Sequence, residues 1–318
     1  MFYDENFASP TKPRCHLTID SNLTSASLKY DMRQFLIVAC LYKTNKNYRN
    51  AKCVLFGLKD LSTYENEITL EELKDIKDKE VFLAMDKNIF NRDLELLENT
   101  LKRIDKYNIA GIFFYDLAVL NLAKKYNVKT PLIWNQNFLV TNYKTCNFYQ
   151  KEGITGAVLS SEITISEVEE IAKNTKLNLF LNIFGYQLMA ISKRNLITNY
   201  FKYLKLENDK QTNYIIEKNN KYPVIEEKIG TKFYTKDILN GIRYINKLKQ
   251  ANIKYLILDD NLIDQKVFEE VASIYEESIA NNLTDEQLLE KEEKIKKLLP
   301  NTSTLFLDKK TIYKVKRK

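Results

Sequence analysis

Carboxylates and amides recur directly after short apolar runs, and they are the residues of this 318-residue chain best suited to chemistry. Crowded carboxylates can act as an acid–base pair with separated pKa values, or as oxygen ligands of a divalent cation such as Mg²⁺ or Ca²⁺. Amides beside them could orient a peptide, a nucleobase or a polar metabolite. Polar residues also end strands simply because the chain leaves the core, and this alternative stays open. The catalytic candidates are Glu162, Asp116 and Asp86; the substrate-binding candidates are Asn88, Asn135, Gln136, Ser161 and Asn182.

Two groups of cations could meet an anionic partner. Lys193 and Arg194 follow an apolar stretch and could bind an anionic ligand group, although a solvated surface pair is equally consistent with the sequence. Residues 308–318 carry six lysines and arginines against one aspartate, and so account for +5 of the net charge of +7. This basic tail could contact RNA, or it is a solvated chain end.

The scarcity of histidine and the spacing of cysteine exclude whole reaction classes. The one histidine, His16, lies in a polar leader, so a Ser/His/Asp or Cys/His nucleophile and a histidine-rich zinc site are not expected. The four cysteines contain no C-x-x-C pair, so no iron–sulfur cluster is expected. The identity of any metal stays open, and a divalent cation remains possible.

The strands and helices that position these residues are predicted from eight apolar runs, which alternate with polar or amphipathic stretches. This pattern is typical of βα units, and continuous apolar runs indicate strands buried on both faces. Capping boxes at Thr69, Thr164 and Thr284 predict helix starts. No glycine-rich phosphate turn follows the first strand, which favours a TIM-like (β/α)₈ barrel over an open α/β sheet. The predicted strands are 35–40, 53–57, 81–86, 111–116, 131–136, 156–162, 177–185 and 255–260.

The barrel prediction sets the domain organisation. Residues 1–31 are expected to be a disordered leader, and 32–282 the barrel, with an insertion at 186–240 between strands 7 and 8 that contains a two-stranded element near Tyr222 to Tyr234. Residues 283–318 are expected to form a C-terminal helical and extended appendage with the basic tail. No apolar run reaches the roughly 20 residues that span a bilayer, and the acidic N-terminus does not resemble a secretory signal. A cytoplasmic protein with no membrane partner is therefore expected, and its oligomeric state stays open.

Two segments carry a resemblance to a known family. Leu159-Ser-Ser-Glu162-Ile-Thr164, followed by Ile183-Phe-Gly185-Tyr-Gln-Leu-Met189-Ala-Ile-Ser192-Lys-Arg194, resembles the collagenase-like peptidases, the unassigned peptidase family thirty-two, in its short single-barrel form. The resemblance implies a protease label. It also implies a relationship to family members that act in the oxygen-independent hydroxylation of tRNA, ribosomal RNA or a quinone precursor. Those members hold an iron–sulfur cluster with four cysteines. This sequence departs there, because Gly185–Lys254 contains no cysteine.

Two functional hypotheses follow. In the first, the protein is a peptidase-like hydrolase of peptides or small polar substrates, with Glu162 as general base or metal ligand and Asp116 and Asp86 assisting. In the second, it is an accessory or binding protein without a cluster. It would recognise RNA or a small anionic metabolite through the polar residues at the strand ends, which form the mouth of the barrel, together with Lys193, Arg194 and the basic tail.

Overall fold

The structure, a computed structural model, describes the backbone of residues 36–40 and residues 53–64, 67–136, 138–208 and 212–309. The predicted leader at 1–31 and the predicted final extended segment within the basic tail lie outside these residues. The described chain is of the α/β class. Its strands are β1 (Leu36–Cys40), β2 (Cys53–Leu58), β3 (Glu67–Ile68), β4 (Glu80–Met85), β5 (Gly111–Phe114), β6 (Leu132–Trp134), β7 (Gly156–Val158), β8 (Asn178–Ser192), β9 (Thr212–Glu217), β10 (Asn220–Glu227), β11 (Gly230–Asn240), β12 (Tyr255–Asp259) and β13 (Thr302–Ser303).

Eight of these strands pair side by side, all in parallel, in the order β1, β2, β4, β5, β6, β7, β8 and β12. The ring closes because β12 pairs with β8 on one side and with β1 on the other. These are the eight apolar runs of the sequence, so the α/β prediction with eight parallel strands is confirmed. The strands were recognisable because parallel strands covered on both faces are apolar throughout.

The interior of the ring is filled by alternate residues of each strand. Phe82, Phe113, Phe180 and Tyr255 meet there, four of the pairs edge to face and Phe180 stacked on Tyr255 with ring centroids 4.2 Å apart. Such pairs add to the hydrophobic gain of burying large rings. The lower part of the barrel is therefore a packed core.

Helices cover the outside of the ring. The capping boxes at Thr164 and Thr284 start helices as predicted. At Thr69 the box forms, but the segment that follows is a single 3₁₀ turn, Glu72–Asp75, because only Leu73 of it is buried and no apolar stripe can hold a longer helix. The helices are α1 (Leu94–Ile104), α2 (Leu117–Lys125), α3 (Tyr143–Lys151), α4 (Ile165–Asn174), α5 (Leu196–Leu204), α6 (Ile245–Gln250), α7 (Gln265–Ala280) and α8 (Asp285–Leu298).

The long strand β8 carries the chain out of the barrel. Beyond Gly185 it pairs antiparallel with β11, and the sheet continues through β10 to β9. The expected two-stranded element is the β10–β11 hairpin, but it belongs to a four-stranded antiparallel sheet. Gly185 makes the exit possible, because its φ is +121° and a Cβ there would lie 2.5 Å from the carbonyl oxygen of Asp259.

The C-terminal elements pack beside this sheet. Arg243 donates to both carboxylate oxygens of Glu292 on α8, and β13 pairs with β11. No helix in the described part of the chain is long and apolar enough to cross a membrane.

Candidate functional site

A polar pocket opens at the end of the barrel where β4, β6 and β12 finish and β8 leaves the ring. The space within it is about 710 Å³, counting its opening to solvent. The antiparallel sheet of the insertion forms one wall. The lining residues that carry the argument are Thr63, Tyr64, Asp86, Asn135, Ser161, Asn182, Tyr186, Lys232 and Asp259.

Strand alternation explains which polar residues reach this pocket. Side chains two residues apart on a strand share a face. Asn182 thus continues the inward row of Phe180, and Asp259 continues that of Ile257. Asp86 and Asn135 extend the inward rows of β4 and β6 in the same way. Polar residues from four strands therefore meet at one mouth.

Asp86 organises the loop that follows β2. One of its carboxylate oxygens accepts hydrogen bonds from the Ser62 hydroxyl at 2.7 Å and the Thr63 amide at 2.8 Å, and the other accepts from the Thr63 hydroxyl at 2.6 Å. Because its two oxygens accept three hydrogen bonds from the loop, this carboxylate is a positioning group. It holds Thr63 and Tyr64 against the pocket.

Asp259 is the acid with the most altered chemistry. The pKa of its carboxyl is raised from 3.8 to about 8, chiefly by burial and then by the neighbouring charge of Asp260, against the opposing effects of the Asn261 amide and Lys232. Protein surrounds the group, and only the pocket side remains partly open. At neutral pH this carboxyl is mostly protonated, so it can donate a hydrogen bond to a ligand.

Lys232 joins the insertion to the barrel. It is 1% exposed, and its Nζ donates to the Thr63 carbonyl at 2.8 Å and forms an ion pair with Glu227. A buried lysine needs such partners because an unpaired charge is costly to desolvate. Sequence reasoning missed this pocket residue, since nothing near it in the chain marks a lysine between Thr231 and Phe233 as buried.

Two amides in the pocket are free to bind. Asn135 is only 9% exposed, yet neither its side chain nor that of Asn182 has a hydrogen-bond partner among the described residues. Buried polar groups are nearly always satisfied, so an unpaired amide that faces a pocket points to a ligand or water. Ser161 adds a hydroxyl beside them.

Four of the ten predicted site residues therefore line the pocket, namely Asp86, Asn135, Ser161 and Asn182. Asp116 does not, because its carboxylate caps α2 and accepts from the amides of Ala118 and Ile89, both at 2.9 Å. Glu162 is exposed and lies outside the pocket lining.

The other predicted binding residues also lie outside the pocket lining. Asn88 is exposed, and Gln136 uses its amide to donate to the Tyr115 carbonyl at 3.1 Å. Lys193 and Arg194 are both exposed, and the ammonium of Lys193 lies 3.9 Å from the centre of the Phe90 ring. The two cations follow β8 after it has left the barrel.

No group of three histidines, cysteines, aspartates or glutamates in the described part of the chain is placed to hold a metal ion. The identity of any metal, including the divalent cation that the sequence left open, therefore stays open. Cys53 and Cys146 are buried, one in the barrel interior and the other on α3, and burial raises the pKa of the Cys146 thiol to about 11. These residues do not fit an iron–sulfur cluster, which needs several thiolates at one place.

The chain belongs to Peptidase family U32, whose model matches residues 44–316. The chain is similar to tRNA hydroxylation protein P2 of Bacillus subtilis (strain 168), with 27% identity over 249 residues, 73% of this chain and 81% of that protein. An uncharacterized protease of Methanocaldococcus jannaschii is 30% identical over 176 residues, 51% of this chain and 42% of that protein. The tRNA hydroxylation protein P of Escherichia coli (strain K12) is 27% identical over 112 residues, 35% of this chain and 24% of that protein.

Proposed function

We propose that this protein takes part in the hydroxylation of tRNA and that it contributes recognition of the RNA substrate. The observation that carries the proposal is the similarity to tRNA hydroxylation protein P2, which extends over most of both chains. Of the two sequence-based hypotheses, the accessory role in RNA modification is the one that the relatives favour. The protein would work in the cytoplasm, where tRNA is abundant.

The chemistry of the mouth pocket supports an RNA substrate. Proteins that modify a base take it out of the stack into a fitted pocket and read its edge by hydrogen bonds. The free amides of Asn135 and Asn182 offer both donors and acceptors to such an edge, and Tyr64 and Tyr186 are aromatic neighbours of the same space. The protonated Asp259 would add a donor to a base carbonyl.

The absence of cysteine from Gly185–Lys254 limits what this chain contributes. The cysteines that the structure describes do not form a cluster site, so no step of the oxidation is assigned to a cluster in this chain. The role that we propose is to bind tRNA and to present the base. The redox chemistry is assigned to another component.

The test is a comparison of tRNA nucleosides, by mass spectrometry, from cells of the source organism with and without this gene. We expect a nucleoside that carries one additional oxygen to disappear on deletion and to return with the wild-type gene. Peptide pools measured from the same cells are the control. A changed peptide pool with unchanged tRNA would contradict the proposal.

A peptidase remains the second candidate because the family carries that name and one relative is called a protease. In this version Glu162 is the general base, with Asp116 and Asp86 assisting. The test is peptide turnover by purified Glu162→Gln and wild-type protein. A large loss of turnover in the variant would favour the peptidase, whereas equal turnover would remove Glu162 from any such mechanism.

A further inference from the structure

An open groove lies on the outer surface of the barrel, between α3 and the end of α4. Its volume is about 1360 Å³, counting the open side. Lys144 and Lys151 line it from α3, and Lys173 and Lys176 line it at the end of α4. No carboxylate lies along this groove, so the four ammonium groups give it a positive surface.

These four lysines differ from the lysines of the described structure that form ion pairs. Lys124, Lys291 and Lys294 each have an acidic partner, at 2.5, 2.7 and 3.7 Å. None of the four groove lysines has a carboxylate within 4.0 Å among the residues that the structure describes. The positive charge of the groove is therefore left uncompensated by the protein.

Helix stability accounts for only part of this arrangement. Lys151 and Lys173 lie in the last turns of their helices, where cations oppose the helix dipole favourably. Lys144 lies near the start of α3, where the dipole disfavours a cation. With Asn147, Phe148 and Lys151 it forms one stripe at spacings of three and four residues on the groove side.

We propose that this groove binds the phosphate backbone of RNA, an inference that rests on the proposed function. Lysines supply most of the affinity for phosphates, while amides such as that of Asn147 can donate to phosphate oxygens. Phe148 is 58% exposed beside them, and an exposed ring among cations is a stacking surface for an unpaired base. An acidic protein segment would use the cations but gain little from that ring.

The groove and the mouth pocket lie at different ends of the barrel. Helix α3, capped by the Asn142 side chain, runs from the mouth end of β6 to Lys151, shortly before the start of β7. Lys173 and Lys176 likewise lie at the end of α4, just before the start of β8. Binding of the RNA backbone and reading of the base are therefore separate tasks of two separate surfaces.

The test uses the full-length protein and bulk tRNA as the probe. We compare the wild type with K144Q/K151Q/K173Q/K176Q and with a control, K291Q/K294Q/K296Q/K297Q, which removes the same charge from α8. At about 0.1 M salt we expect the groove variant to bind roughly 30-fold or more weakly, and its slope of log affinity against log salt to be smaller by about 3. The control should stay within about threefold of the wild type, because the lysines of α8 are not expected to contact RNA phosphates.

The possible failures are distinguishable. Equal affinity and slope in the wild type and the groove variant, or an equal loss in the α8 control, would overturn the groove while leaving the proposed function standing. A wild-type protein that binds no tRNA would overturn both. Polyglutamate is the second probe: if it binds the wild type as tightly as tRNA and loses affinity equally in the groove variant, the surface binds anions in general and the assignment to RNA fails.

Discussion

The two ends of the barrel interior use the same strands but differ in how their polar groups are satisfied. At the start of the strands, the Cys53 thiol donates to one oxygen of Glu80 at 3.0 Å, and the Tyr255 hydroxyl contacts the other at 3.4 Å. At the mouth, the amides of Asn135 and Asn182 have no partner among the described residues. The polar groups named at the start of the strands are thus paired within the protein, whereas the two amides at the mouth are not.

This difference separates stability from function along a single strand. Phe180 is 1% exposed and packs against three other rings, whereas Asn182, two residues later on β8, lies in the open pocket. The packed end keeps the barrel closed. The unsatisfied end costs the fold little and offers its hydrogen bonds to a ligand, as the active-site face of this barrel class does.

The largest expected effect follows from this pair. Phe180→Ala should lower the free energy of unfolding by about 3–5 kcal/mol, because it removes a large ring and leaves a cavity. Asn182→Ala should change it by about 1 kcal/mol or less, since no side-chain hydrogen bond to the protein is lost. Urea denaturation of the purified variants measures both values.

The same pair should reverse order in a functional assay. Folded Asn182→Ala protein should fail to restore tRNA hydroxylation in a deletion strain, whereas any Phe180→Ala protein that remains folded should restore it in proportion to its amount. If Asn182→Ala proved as unstable as Phe180→Ala, or fully restored the modification, the division between the two ends would be wrong.

A smaller effect is the pH dependence contributed by Asp259. Its pKa of about 8 in the folded protein lies above the ordinary 3.8, so between these values the folded chain holds a proton that the unfolded chain releases. Stability from this group is therefore present at low pH and is lost as the pH rises towards 8, by at most about 1.4 kcal/mol per unit.

Unfolding free energies of the wild type and Asp259→Asn, measured at pH 5 and pH 8, test this dependence. The wild type should lose stability over that interval relative to the variant, which cannot ionise at this position. Parallel pH profiles of the two proteins would show that the carboxyl is not held protonated in the pocket.

The sequence predicts the strands of this barrel better than it predicts the direction of the side chains that follow them. The eight runs are apolar on both faces, which marks them as buried parallel strands but leaves no alternation to show which residues point inward. Asp86 and Asp116 therefore look equivalent as strand-end acids, although only Asp86 continues an inward row. The inward face is defined only when the ring closes.

The insertion could not be placed from sequence for a different reason. Lys232 reaches the mouth through a hydrogen bond to the carbonyl of Thr63, 169 residues earlier in the chain. A contact of that separation leaves no local pattern. Gly185 lies within the family-like segment, but its role, close approach to Asp259 as β8 leaves the barrel, depends on where β12 ends.

The smallest expected effect separates the two strand-end acids. Asp116→Ala removes an N-cap of α2, so we expect a loss of about 1 kcal/mol in unfolding free energy. On the proposed function, the folded variant should still restore tRNA hydroxylation in a deletion strain. Asp116→Asn, which keeps an accepting oxygen, should restore most of the stability and serves as the control. Complementation that fails with a stable Asp116→Asn protein would return this acid to the catalytic candidates, because a helix cap does not need a negative charge to preserve function. Substitution of the outward acid, Asp116, is thus expected to change stability alone, whereas substitution of the inward-facing polar residues is expected to change ligand binding.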